Sequence, residues 1–96
     1  YPYSAINNQL SRCSMSVGAN YRAASRAKSP ADFINKLKIV EEELDESVYF
    51  LELLDYFNSE SATENDIIRK EADELLAITV QSIKTARAKL NQSKKQ

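Results

Sequence analysis

The sequence predicts an all-α protein, an up-and-down antiparallel bundle with three long helices of a four-helix bundle. The 96-residue chain holds one glycine and two prolines, whereas a β-rich domain of this size needs many more turn residues. Residue types that favour helix dominate, and apolar residues recur at spacings of three and four. The length is short for two domains, so we expect one domain over residues 1–96.

The first helix is predicted over residues 3–24. Its apolar seam alternates steps of three and four with one polar interruption: Tyr3, Ile6, Leu10, Cys13, Val17, Asn20 and Ala24. Gly18 lies within this helix and costs about 1 kcal/mol relative to alanine. We therefore expect another backbone to approach closely at Gly18.

The second helix is predicted over residues 30–57. Ser29 can cap its free N–H groups, Pro30 suits the first turn, and Asp32 favours the positive end of the helix dipole. The predicted seam consists of Phe33, Leu37, Val40, Leu44, Ser47, Leu51 and Leu54. A second apolar set in the C-terminal half, Val48, Phe50, Leu53 and Phe57, predicts contacts with more than one neighbour.

The third helix is predicted over residues 64–91, after a capping pattern that begins at Thr63. Its apolar positions are Ile68, Leu75, Leu76, Val80, Ile83, Ala86 and Leu90. Residues 92–96 are expected to form a polar, fraying tail. Long helices joined by short loops must pack antiparallel to their neighbours.

Charge is strongly segregated along the chain although the net charge is −1. Residues 1–38 carry six basic residues and one acid, residues 39–76 carry thirteen acids and two basic residues, and residues 77–96 carry five basic residues and no acid. These blocks can neutralise each other across antiparallel helices, or they can steer charged partners.

The residue inventory argues against an enzyme, a cofactor, a metal site and a small-molecule substrate. The chain has no histidine, the commonest general base and metal ligand. Cys13 lies on the apolar seam and is expected to be a small core residue, while the acidic run from Glu41 to Glu46 is expected to wrap around its helix as a solvated or arginine-paired face. One cysteine suits a reducing, cytoplasmic location, and no apolar run reaches the ~18 residues of a membrane span.

One cluster suggests binding. The candidate nucleic-acid-binding residues are Arg12, Arg22, Arg26 and Lys28. Such a group can hold phosphates, yet salt bridges to the acidic block on the second helix explain the same arginines equally well.

Three segments carry a family resemblance: Gln9 to Ala24, Ser29 to Leu37, and Glu41 to Leu54. Over about residues 3–57 the chain resembles the bacterial four-helix-bundle family encoded in intervening sequences of large-subunit ribosomal RNA genes. It also looks related to the accessory variability proteins of diversity-generating retroelements. The third helix matches only in length and periodicity.

The resemblance implies an up-and-down four-helix bundle that assembles into pentamers, in a family most of whose members have no established activity. The retroelement relatives bind nucleic acid through a basic surface, whereas this chain is acidic overall and has Ala23-Ala24 where many members have Glu-Gly. Residues 1–2 resemble the loop before the family's second helix. We therefore expect the family's first helix to lie upstream of Tyr1. We also expect an apolar groove where that helix would pack against the three helices of this chain.

Together these features favour a non-enzymatic, homo-oligomeric scaffold or adaptor, with a nucleic-acid-binding accessory protein as the alternative. The small residues of the first helix and the aromatic end of the second are expected to form contacts between subunits. The candidate interface residues are Ser14, Ser16, Gly18, Tyr49, Phe50, Tyr56 and Phe57.

Overall fold

The computed structural model describes residues 2–58, 60 and 62–95. These residues form three α-helices: α1 (Pro2–Ser25), α2 (Pro30–Phe57) and α3 (Ala62–Lys95). No strand occurs among the residues described, and the predicted all-α class is confirmed. No helix in this part of the chain has the length and apolarity needed to cross a membrane.

The start of α2 follows directly from its sequence. Ser29 has extended backbone angles, and its hydroxyl accepts a hydrogen bond of 3.0 Å from the backbone N–H of Asp32. Pro30 occupies the first turn, where its missing N–H costs nothing. The Asp32 carboxylate accepts from the backbone N–H of Lys28 at 3.2 Å, so the turn between α1 and α2 is tied at both ends.

The central helix α2 contacts both of the others, whereas no Cα atom of α1 comes within 8 Å of α3 among the described residues. Neighbouring packed helices lie 8–10 Å apart, so helices at diagonal corners of a bundle are about 13 Å apart. The three helices therefore occupy three corners of a square, with α2 at the corner between α1 and α3. The rod that they form measures 56 × 19 × 15 Å.

The core follows most of the predicted seams, with α2 contributing most of it, but Ile34 is buried where Phe33 was predicted and Thr79 where Val80 was predicted. The buried residues are Ile6, Cys13, Ala24, Ile34, Leu37, Val40, Leu44, Ser47, Leu51, Thr79 and Ile83. One cluster, made by Ala24, Ile34, Leu37 and Ile83, has Phe33, Ala86 and Leu90 packed around it. It joins the end of α1, the start of α2 and the end of α3.

Several details differ from the sequence prediction. Helix α3 begins at Ala62 and continues to Lys95, so Thr63 lies inside the helix and the predicted polar tail is helical as far as Lys95. Thr79 is buried although it is polar, because its hydroxyl donates to the carbonyl of Leu75 at 2.8 Å and so needs no other partner. Ile68, placed on the seam, is 50% exposed.

An open groove of about 460 Å³ runs between α1 and α3, over the inner face of α2. Its apolar lining includes Leu10, Val17, Leu44, Leu51, Leu54, Ile68 and Leu75. The family resemblance implied an apolar groove, and an open groove with an apolar lining is present here. It explains the exposure of Ile68, which lies on the rim.

Replacing Ser29 with alanine tests the cap of α2. Loss of the hydrogen bond to Asp32 N–H should lower the free energy of unfolding by about 1 kcal/mol, measured by urea denaturation. The control is Ser93→Ala, an exposed serine near the end of α3, which should change stability little. Equal effects of the two substitutions would contradict the capping role.

Candidate functional site

A polar cluster joins α1 to α2 near the middle of α1. The guanidinium of Arg12 donates to the carboxylates of Glu46 at 2.9 Å and Glu43 at 3.4 Å. The same guanidinium lies 3.3 Å from the sulfur of Cys13, which itself donates to Glu46 at 3.2 Å. Arg12 is therefore engaged with the acidic helix, as the salt-bridge interpretation of the arginines predicted.

Burial and hydrogen bonding set the protonation of this cluster. Burial, followed by the hydrogen bond to Glu46, raises the pKa of the Cys13 thiol to about 11. The hydrogen bonds from Cys13 and then Arg12 lower the pKa of Glu46, and the hydrogen bond to Glu46 raises that of Arg12. At neutral pH the thiol is therefore protonated and unreactive.

The same residues bring possible metal ligands together. One ligand atom each from Cys13, Glu43 and Glu46 lies within 4.8 Å of the others. The acidic run was expected to wrap around α2 as a solvated or arginine-paired face, whereas Glu43 and Glu46 converge on Cys13. The guanidinium of Arg12 already supplies positive charge to both carboxylates, so the cluster is built as an interhelical ion pair.

The four basic residues singled out from the sequence do not form one group. Arg12 lies ten residues before Arg22, about 15 Å along α1, and faces the acidic part of α2. Arg22 lies at the exposed end of α1, and Arg26 and Lys28 are exposed in the turn that follows. Of the four residues, Arg22, Arg26 and Lys28 remain candidates for binding an external anion.

The turn after α1 forms one side of a basic recess of about 540 Å³. Its lining consists of Ala23, Arg26, Lys28, Asp32 and Lys36. Three cations therefore face the same concavity, and Asp32 is the single acid among them. Lys36, which sequence reasoning did not select, joins them because the start of α2 folds back beside the end of α1.

Helix α3 brings further basic residues to the same end of the rod. Lys89 and Leu90 line a recess with Ala24, Ala27 and Pro30, which places the last turns of α3 against the turn between α1 and α2. We call the following set the basic end: Arg22, Arg26, Lys28, Lys36, Lys38, Lys84, Arg87, Lys89 and Lys94. Within the described residues, ion pairs involve only Arg12 and Arg69 as cations, so the basic end is not neutralised across helices.

Aromatic side chains are exposed at the opposite end of α2. Tyr56 is 82% exposed, Tyr49 is 55% exposed and Phe57 is 46% exposed, while Phe50 is half-buried. Tyr56 and Phe57 meet edge to face with ring centres 5.2 Å apart. Such a pair offers a large apolar area outside the core.

The small residues of α1 lie in different surroundings. Ser14 lines the groove, Ser16 accepts from the side chain of Asn20, and Gly18 is exposed. A Cβ atom built at Gly18 meets nothing within 4 Å. The close backbone approach expected at Gly18 does not occur among the described residues.

An antiparallel bundle of long helices with one open face is the class of protein that this structure defines. The chain belongs to the family of 23S rRNA-intervening sequence proteins, whose family profile matches residues 3–81. The match extends the resemblance seen in α1 and α2 well into α3.

A solved structure supports the same assignment. The chain is similar to a protein of unknown function from the S23 ribosomal protein family of Bacteroides thetaiotaomicron VPI-5482, with 37% identity and a TM-score of 0.78. The alignment covers 82% of this chain and 73% of that one. Comparison with curated proteins gives no match.

The raised pKa of Cys13 predicts how stability changes in alkali. An unfolded thiol ionises at its ordinary pKa near 9, whereas the folded thiol keeps its proton to about 11. The contribution of the thiol to the free energy of unfolding is therefore fully present below pH 9. About 2 kcal/mol of it is lost as the pH rises from 9 to 11, because the unfolded thiol ionises while the folded thiol keeps its proton. Urea denaturation at several pH values should show the wild-type advantage over Cys13→Ala shrinking across this range. A constant difference between the two proteins would contradict the prediction.

Proposed function

We propose that this protein is a non-enzymatic, homo-oligomeric scaffold or adaptor that assembles through apolar surfaces left open by the three helices. The exposed aromatic end of α2 carries the proposal, because a fully folded monomer rarely exposes such a contiguous apolar area without an interaction to make. The apolar groove adds a second uncovered surface. The family resemblance implies five copies in the assembly.

The residue chemistry is consistent with a role that is not catalytic. The thiol of Cys13 is buried and protonated, and its neighbours Glu43 and Glu46 are paired with Arg12. A nucleophile needs an adjacent base and access to substrate, and this thiol lacks access. We therefore assign the cluster to holding α1 against α2.

The exposed tyrosine at position 56 tests the proposed assembly. Light scattering on the wild-type protein should give five times the subunit mass of 10.9 kDa, and Tyr56→Ser should shift the mass toward the monomer without loss of helical circular dichroism. Tyr21→Ser is the control, since Tyr21 is an exposed tyrosine on α1 outside the candidate interface. A monomeric wild-type protein at micromolar concentration would refute the proposal.

Gly18→Ala separates intrinsic helix stability from assembly. The added methyl group has open space within the chain, so it should stabilise the isolated subunit by about 1 kcal/mol through helix propensity. If a second copy packs on Gly18, the same methyl group should weaken association at least several-fold. Urea denaturation of the dissociated subunit and light scattering across a dilution series measure the two effects. Stabilisation with unchanged association would remove Gly18 from the interface.

A second candidate function, a nucleic-acid-binding accessory protein, is favoured by the basic end. Arg22, Arg26 and Lys28 from the sequence hypothesis remain exposed there, and α2 and α3 add six more basic side chains. Phosphate contacts of this kind provide affinity without base recognition.

A further inference from the structure

We propose that the basic end is a single surface, built from all three helices, that binds the phosphodiester backbone of nucleic acid with the rod standing end-on. This proposal rests on the second candidate function and specifies its surface and orientation. It differs in two respects from the nucleic-acid-binding site predicted from the sequence. Arg12 does not belong to the surface, whereas the C-terminal turns of α3 do belong to it.

The topology brings these residues together. The chain runs up α1, down α2 and up α3, so the end of α1, the beginning of α2 and the end of α3 meet at one pole. The buried cluster of Ala24, Ile34, Leu37 and Ile83 fixes that meeting point. The nine residues of the basic end all lie in the segments that surround this cluster.

The charge at this pole is nearly unopposed. Nine described basic side chains share the end with one acid, Asp32, whose carboxylate accepts the backbone N–H of Lys28. The remaining thirteen acids lie between Glu41 and Glu74, from the middle of α2 and α3 to the other end of a rod 56 Å long, and Glu41 is about one helical turn from Lys38. The screening length is about 10 Å at 0.1 M salt, so much of the acidic part is too distant to cancel the field.

The same separation defines the orientation. A nucleic acid lying along the rod would meet the acidic side chains of α2 and α3 and would be repelled. A backbone that crosses the basic end meets the recess formed by Arg26, Lys28 and Lys36 on one side and Lys89 on the other. Tyr21 is exposed near this end but lines neither recess, so we infer phosphate contacts without base stacking and without sequence preference.

We favour a phosphodiester backbone over an acidic protein as the ligand because of the way in which the positive charge is distributed over the basic end. The basic side chains come from three elements around a rod about 19 Å wide, and nucleic acid supplies regularly spaced phosphates across such a width. Among the described residues at this end, Tyr21 is the one large apolar side chain that is exposed. The recess beside Lys89 is lined mainly by small side chains such as Ala24, Ala27 and Pro30, unlike the large side chains that anchor protein interfaces. An acidic polypeptide is therefore an alternative for the experiment to reject.

The test measures binding of fluorescent oligonucleotides of mixed sequence, single-stranded and duplex, to the full chain by anisotropy. Affinity should fall steeply with salt, and about five neutralised phosphates on duplex give a slope of about −4.5 in a double-logarithmic plot. Lys89→Glu and Arg26→Glu should each weaken binding roughly five- to tenfold at 0.1 M salt, because each removes one phosphate contact.

Lys70→Glu is the matched control, since Lys70 is also an exposed lysine on α3 but lies in the acidic part. It makes the same change of charge and should weaken binding less than twofold. Lys89→Gln, which removes the charge without reversing it, should show a smaller loss and guards against misfolding of the reversed variant. Circular dichroism checks that each variant stays helical.

Energy transfer tests the orientation. A donor dye is attached to Ser93→Cys at the basic end or to Ser4→Cys at the other end, because buried Cys13 will not react. An acceptor is carried on the oligonucleotide. Transfer should be high from position 93 and low from position 4, whereas equal transfer from both would overturn end-on binding.

The outcomes separate the proposal from the function on which it rests. Absence of oligonucleotide binding at 50 mM salt would overturn both. Binding that Lys89→Glu and Lys70→Glu affect equally would overturn the three-helix surface while leaving nucleic-acid binding intact. Tighter binding to polyglutamate than to the oligonucleotide would assign the surface to an acidic protein, and competition by a mononucleotide at equal phosphate concentration would assign it to free phosphate.

Discussion

The structure depends on helix α2, which packs along both other helices. Among the described residues, no Cα atom of α1 lies within 8 Å of α3, and side chains of these two helices share a buried cluster at Ala24 and Ile83. Six of the eleven buried residues belong to α2, so α1 and α3 bury their apolar residues mainly against α2. Where their inner faces diverge, the groove remains open and Ile68 stays on its rim. The exposed apolar surface is thus a direct result of three helices occupying three corners.

The same connectivity explains why net charge is a poor guide to this molecule. Two basic segments far apart in sequence, around Arg26 and around Lys89, reach one end because the chain reverses twice. The acidic segment between them is carried to the other part of the rod. Opposite charges therefore meet at few positions, chiefly where Arg12 reaches Glu43 and Glu46 and where Arg69 reaches Asp55 and Asp66.

Helix positions, the Ser29 cap and most of the core could be predicted from local signals, since periodicity and capping depend on neighbours in sequence. The role of Arg12 could not be predicted, because that role depends on which turn of α2 lies beside Arg12. The burial of Thr79 was not predicted, because a polar side chain is usually exposed. A threonine whose hydroxyl donates to the carbonyl four residues earlier can nevertheless be buried. The family resemblance suggested the groove; composition alone gave no sign of it.

The two candidate functions use different parts of the molecule. Tyr56 and Phe57 end α2 at the pole where Tyr3 donates a hydrogen bond to the carbonyl of Phe57, while Arg26 and Lys89 lie at the other pole of a 56 Å rod. An assembly formed through the aromatic end would therefore leave the basic end uncovered. Each added subunit would then contribute another basic end, and several weak phosphate contacts held in one particle bind far more tightly than one. In such an arrangement the scaffold role and nucleic-acid binding would reinforce each other.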